Sequence, residues 1–145
     1  MAVERTAEAT WSGDLGSGSG SVTAESGVLS GVPVDWRNRA ESKEDKTSPE
    51  ELLAAAHAAC FAMALSHGLS QGGNAPERLD VRAVVTFEPV EGGFGVTSSK
   101  LTVNGSVPGI DAAAFEEAAN AAKDGCPISQ ALKGNVDLSV DATLQ

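Results

Sequence analysis

Basic residues are scarce in this chain: 10 Lys and Arg stand against 20 Asp and Glu, a formal charge of −10. Nucleic-acid affinity rests on neutralising phosphates with Lys and Arg, and anionic membrane surfaces attract the same residues, so the charge argues against both partners. Aromatics are scarce too, with two Trp, four Phe and no Tyr. Alanine and valine take their place, and such small side chains suit close packing of helix against sheet. The N-terminus, MAVERTAEATW, lacks a positive start followed by an apolar run, so no secretory leader is read and a cytoplasmic location is expected. There the two cysteines read as free thiols, a metal site or a transient redox pair rather than a permanent staple. The glycine run GSGSG at 16–20 lacks the GK[ST] ending of a phosphate loop and is read as turn chemistry.

A hydrophobic content of 41% over 145 residues is enough for a core without disulfides, and a single domain over 1–145 is expected. Short strands and turns are read in 4–25, and Val34 to Ala40 as a strand or extended segment. Glu41 to Lys46 follows as a solvated charged loop. Val81–Glu88 alternates as a half-buried strand, Glu91-Gly92-Gly93 turns, and Phe94–Val103 returns beside it. Asp111 caps a helix with Phe115, Ala118, Ala119 and Ala122 on one face, and Gly125 is placed to stop it. Cys126-Pro127 opens a short helix through Leu132, and Val136–Leu144 alternates as a last strand. The element order is that of an α+β domain.

The organising stretch is SPEELLAAAHAACFAMALSHGL, Ser48 to Leu69. Ser48 before Pro49 reads as an N-cap, with Glu51 completing a capping box. Leu52, Leu53, Ala56, Ala59, Cys60, Met63 and Ala64 fall on one face, and the other side is mostly alanine. A helix apolar nearly all round belongs inside something. The apolar run is read as too short to span a bilayer, so a core or a subunit interface is expected, with a second subunit covering what one sheet cannot.

Two thiols invite redox chemistry. Cys126 sits at a helix start, where unpaired N–H groups and the helix dipole favour a thiolate. Cys60 lies mid-helix, where burial would raise its pKa, so it needs a cation to react and is otherwise a small buried hydrophobe. Arg37, Arg39, Lys43 and Lys46 are the candidates, and an arginine fork held by Glu50 suits the task best. Ten helical residues rise about 15 Å, so a Glu50 serving the same site as Cys60 would come from the other subunit. Alone, Glu50 is a first-turn acid that complements the helix dipole. His57 shares a face with Cys60, but neither the partners of a Cys-His hydrolase nor a zinc ligand spacing accompanies it. It is read as a polar group hydrogen-bonded at the helix surface, and His67 as a C-terminal dipole partner.

SPEELLAAAHAACFAMALS around Cys60, GCPISQALKGNVDLSVDATL around Cys126, GSGSVTAESGVL and VPGIDAAAFEEAANAAKDG together resemble the OsmC branch of the OsmC/Ohr family over nearly the whole chain. The resemblance implies the OsmC/Ohr fold, a long central helix packed on antiparallel sheets in an intertwined homodimer with two sites at the subunit interface. It implies a thiol-dependent peroxidase of organic hydroperoxides and of hydrogen peroxide. Cys60 would be the peroxidatic residue, Cys126 the resolving one, and Glu50 the acid after the helix-opening proline. The arginine would be Arg39, in NRAE, with Arg37 as the alternative. No cofactor or metal is implied beyond the cysteine pair; an external dithiol, a lipoylated protein among the candidates, would restore the thiols. The rival reading is a non-catalytic, hydroperoxide-sensing or ligand-binding dimer that uses the same apolar interface.

Overall fold

A computed structural model describes residues 1–41 and 44–145. The chain groups into two compact units, Met1–Leu52 and Leu53–Gln145.

In the first unit, β1 (Ala7–Ser12), β2 (Ser19–Ala24) and β3 (Val32–Val34) form an antiparallel sheet in the order β1-β2-β3. The glycine run begins as the expected turn, but its last two residues, Ser19 and Gly20, belong to β2. A Cβ on Gly18 would collide with the Asp14 and Ser12 carbonyls, and one on Gly20 would stand 2.7 Å from the Trp11 ring. Every residue of β1 is exposed in the single chain. The segment after β3 departs from the expected strand: Trp36–Ala40 is a short helix, α1. Asp35 decides this, because its carboxylate accepts from the Asn38 backbone N–H at 2.8 Å and from the Asn38 side-chain amide at 2.9 Å, an N-cap that starts a helix. Lys46 Nζ also pairs with Asp35 at 3.0 Å, so the charged loop is anchored at that end. These contacts pull the Asp35 carboxyl down to about 2, the Asn38 hydrogen bonds leading and Lys46 adding to them.

The long helix α2 runs Pro49–Gln71, two residues beyond the expected end. Ser48 Oγ accepts from the Glu51 N–H at 3.1 Å, but the Glu51 carboxylate takes the Thr47 hydroxyl at 2.8 Å. The cap therefore holds by its serine half. At 23 residues, with a mean hydropathy of 1.5 over its best 18, α2 has the length and composition of a bilayer-spanning helix, so the expectation that its run is too short does not stand. One stripe of it, Phe61, Leu65 and Leu69 at a spacing of four, is buried in the core of the chain.

The second unit holds that stripe against β5 and α3. Strands β4 (Arg78–Val90) and β5 (Gly93–Ser106) form the expected antiparallel hairpin around Glu91-Gly92. β6 (Asp137–Leu144) pairs with β5 in parallel, so this sheet is mixed where antiparallel sheets were expected. The reason lies in the connection: α3 (Ala112–Gly125) and α4 (Pro127–Leu132) separate β5 from β6, and a helical crossover returns a strand in its original direction. The core joins Phe61, Leu65 and Leu69 of α2 to Leu101 and Val103 of β5, and to Phe115, Ala119 and Ala122 of α3. Phe115 and Ala119 are fully buried, as the expected α3 face requires. Gly125 does not end α3 by a left-handed turn. Pro127 disfavours helical backbone at the residue before it, and Cys126, at φ −66° and ψ 138°, closes α3 and caps α4.

Candidate active site

Arg39 and Glu50 meet within the first unit. Arg39 sits in the last turn of the Asp35-capped α1, and Glu50 is the residue after Pro49 in α2. Arg39 Nε lies 3.1 and 3.2 Å from the two Glu50 carboxylate oxygens, and Nη2 lies 2.9 Å from Oε1. The Glu50 side chain is 9% exposed and that of Arg39 34%. A guanidinium held through two nitrogens keeps a fixed plane, which a lysine ammonium would not. Arg37, the alternative, is exposed, and Lys46 is engaged with Asp35. Lys43 lies outside the described residues.

Cys60 and Cys126 meet within the second unit. Both are free thiols, Cys60 half-buried and Cys126 fully buried. Cys60 packs against the core cluster that contains Cys126, and Cys126 and the Ile128 backbone N–H are both near enough to act on its thiol. Burial pushes the Cys60 thiol up; the Ile128 amide works against that rise, and the Cys126 thiol adds to it. Cys60 therefore needs a nearby cation to react as a thiolate. Cys126 is held from its own side by the Ser129 backbone N–H, 3.3 Å from Sγ, and its thiol donates to Ser129 Oγ at 3.1 Å.

The packed face of α2 differs from the expected one. Ala56, Ala59 and Met63 are exposed, Met63 at 70%, while Cys60 and Ala64 flank the buried stripe. A helix apolar on every side carries no pattern to say which side turns inward. His57 belongs to the inward stripe. It is not at the helix surface: it is fully buried, with Nδ1 2.6 Å from Ser99 Oγ and Nε2 2.8 Å from Ser129 Oγ. Burial also holds its ring below the ordinary value near 6.5. Ser99 and Ser129 were not singled out from sequence. Each carried a signal, a serine on the inward face of β5 in step with Leu101 and Val103, and a serine three residues after a cap cysteine. Among the described residues no three His, Cys, Asp or Glu side chains are grouped as a metal site.

Chemically, the second unit offers two neighbouring thiols in apolar surroundings. The first offers a rigid cationic fork.

The chain has relatives among known proteins. The family model described as OsmC-like protein matches residues 42–141. The chain is 44% identical to peroxiredoxin OsmC of Escherichia coli strain K12, over 95% of this chain and 96% of that one. It is 33% identical to the organic hydroperoxide resistance protein OhrB of Bacillus subtilis strain 168, over 87% and 90% of the two chains. The crystal structure of Bacillus subtilis OhrB aligns with a TM-score of 0.76 at 32% identity, covering 95% of this chain and 98% of the other.

Proposed function

The chain belongs to the OsmC-like protein family, and from that premise we propose that it is a thiol-dependent peroxidase that reduces organic hydroperoxides, and hydrogen peroxide, as a homodimer. The observation that carries the reading is that Cys60 and Cys126 are neighbouring free thiols inside one chain, Cys60 packed against the core cluster that contains Cys126. Relatives named peroxiredoxin and organic hydroperoxide resistance protein support the substrate class.

In the proposed cycle the Cys60 thiolate attacks the distal oxygen of the peroxide. The O–O bond breaks, the alkoxide takes a proton and leaves as alcohol, and the Cys60 sulfur is oxidised to a sulfenic acid. Cys126 then attacks that sulfur, and a Cys60–Cys126 disulfide forms with loss of water. An external dithiol, a lipoylated protein among the candidates, restores both thiols by two exchange steps and is itself oxidised to a disulfide. The cysteine pair is the redox centre, and no metal or other cofactor takes part.

Cys60 has to be a thiolate to react, and burial opposes this. The Arg39–Glu50 fork supplies the missing charge. Ten residues of α-helix rise about 15 Å, which separates Glu50 from Cys60 along α2, so the fork serving each Cys60 is assigned to the partner subunit. Two bare surfaces support a second copy. The Ala55, Ala56, Ala59 and Met63 side of α2 is apolar and exposed, and β1 is uncovered over its whole length. Apolar surface of this kind is stabilised by a symmetric partner, and the same surroundings would admit a greasy hydroperoxide. Operation in the reducing cytoplasm fits two free thiols.

The test is non-reducing intact mass and peptide mapping of the reduced protein after one equivalent of cumene hydroperoxide. A loss of two hydrogens, mapped to a Cys60–Cys126 link within one chain, is expected. Unmodified thiols would overturn the reading.

A further inference from the structure

The cycle above leaves three buried polar side chains unused. His57 and Ser99 are fully buried and Ser129 is 1% exposed. They form one line with the second cysteine: Cys126 Sγ to Ser129 Oγ, 3.1 Å; Ser129 Oγ to His57 Nε2, 2.8 Å; His57 Nδ1 to Ser99 Oγ, 2.6 Å. The line crosses three elements, α4, α2 and β5. A core histidine costs stability unless both ring nitrogens are satisfied. An apolar residue at 57 would simply extend the stripe of Phe61, Leu65 and Leu69. Packing therefore does not require an imidazole here.

We propose that His57, acting through the Ser129 hydroxyl, is the acceptor for the Cys126 proton when Cys126 attacks oxidised Cys60; the inference rests on the two-cysteine reading above. In the reduced protein the neutral ring carries its proton on Nδ1 and donates to Ser99 Oγ. Nε2 accepts from the Ser129 hydroxyl, and that oxygen accepts from the Cys126 thiol. As Cys126 attacks, its proton passes to Ser129 Oγ and the serine proton passes to Nε2. The S–S bond forms while the Cys60 S–O bond breaks; the Cys60 sulfur is reduced and the Cys126 sulfur oxidised. The imidazolium returns its proton through Ser129 to the leaving hydroxide, which departs as water. One sulfenic acid and one thiol have become one disulfide and one water.

The direction of the His57 shift suits this role. Burial keeps the ring unprotonated at neutral pH, ready to accept. Among the described residues, the titratable group linked to it is the Cys126 thiol, across Ser129; β5 presents Ser99, α4 presents Ser129, and Cys60 follows three residues along α2. Ser129 touches the reacting sulfur, whereas His57 acts at one remove.

The experiment follows Cys60–Cys126 disulfide formation after one equivalent of cumene hydroperoxide, by rapid quench and mass spectrometry, from about pH 5 to about pH 9. Full-length wild type, Ser129→Ala and Ser129→Thr are compared. The wild-type rate is expected to be level through neutral pH and to fall only in acid, where His57 is already protonated. Ser129→Ala breaks the line: its rate should be about a hundredfold lower at neutral pH and rise about tenfold per pH unit as free thiolate accumulates. Ser129→Thr, which keeps the hydroxyl, should restore the level profile. An unchanged profile in Ser129→Ala, with the disulfide still forming in wild type, would overturn the relay alone. No disulfide in wild type would overturn the two-cysteine reading and the relay with it. A second measurement needs no variant: nitrogen NMR of the reduced protein near neutral pH should show a neutral His57 ring protonated at Nδ1, and an imidazolium there would overturn the proposal.

Discussion

Replacing Gly105 by alanine should destabilise the protein through one contact, and that contact can be isolated. Gly105 lies on the inward face of β5, and a Cβ built there would run into the tip of the Phe115 ring, with Cε1 at 2.7 Å and Leu79 Cδ2 at 3.3 Å. Phe115 is fully buried in the core. Overpacking of this kind costs about 1–3 kcal/mol. The lost freedom of glycine in the unfolded chain returns about 0.4–1 kcal/mol, because Gly105 has no left-handed φ to preserve. A net loss of up to about 2.6 kcal/mol follows. Phe115→Leu alone should cost a similar amount, by removing buried ring atoms. The double variant should be less destabilised than the sum by at least about 1 kcal/mol, since the shorter leucine leaves room for the new methyl. Urea unfolding of the four proteins, at one protein concentration and with the slopes compared, gives the cycle directly. Additivity within about 0.5 kcal/mol would refute the steric argument. The contact bears on function because α3, which carries Phe115, ends at Cys126.

Two further outcomes follow from the sites. His57 is held below its ordinary value near 6.5, so below that pH the unfolded chain takes up a proton that the folded one refuses, and stability falls as pH drops from 6.5 through the folded value. Urea unfolding at several pH values should show a smaller loss over that window in His57→Gln than in wild type, and equal slopes would count against the buried neutral ring. Arg39→Lys keeps the charge but loses the two-nitrogen grip on Glu50. The rate of first peroxide attack at Cys60, read by trapping the sulfenic acid with dimedone, should fall about tenfold to a hundredfold; a wild-type rate would remove the arginine from the site.

Local chemistry was legible before any tertiary structure. The Ser48-Pro49 start, the Glu91-Gly92 turn and the Asp111 cap are each set by residues a few positions apart. Asking what a buried thiol needs leads to an arginine held by Glu50, with Arg37 and Arg39 both open; the resemblance carried by the motifs around each cysteine points to Arg39, and the structure pairs Arg39 with Glu50. Where local signals competed, the reading slipped. Trp36–Ala40 looked extended until the Asp35 cap was seen to bind Asn38. Glu51 looked like half of a box until Thr47 claimed its carboxylate.

The sequence by itself determined where α2, α3 and α4 begin and which thiols are present. These follow from backbone propensities, capping and apolar content, which act over a few residues. Only the tertiary structure decided which side of α2 faces inward, that β6 runs parallel to β5, and that His57 is buried between two serines 42 and 72 residues away. An all-apolar helix has no preferred face until a sheet is laid against it. A strand takes its direction from the crossover before it, and a histidine enters a core only when distant hydroxyls meet both of its nitrogens.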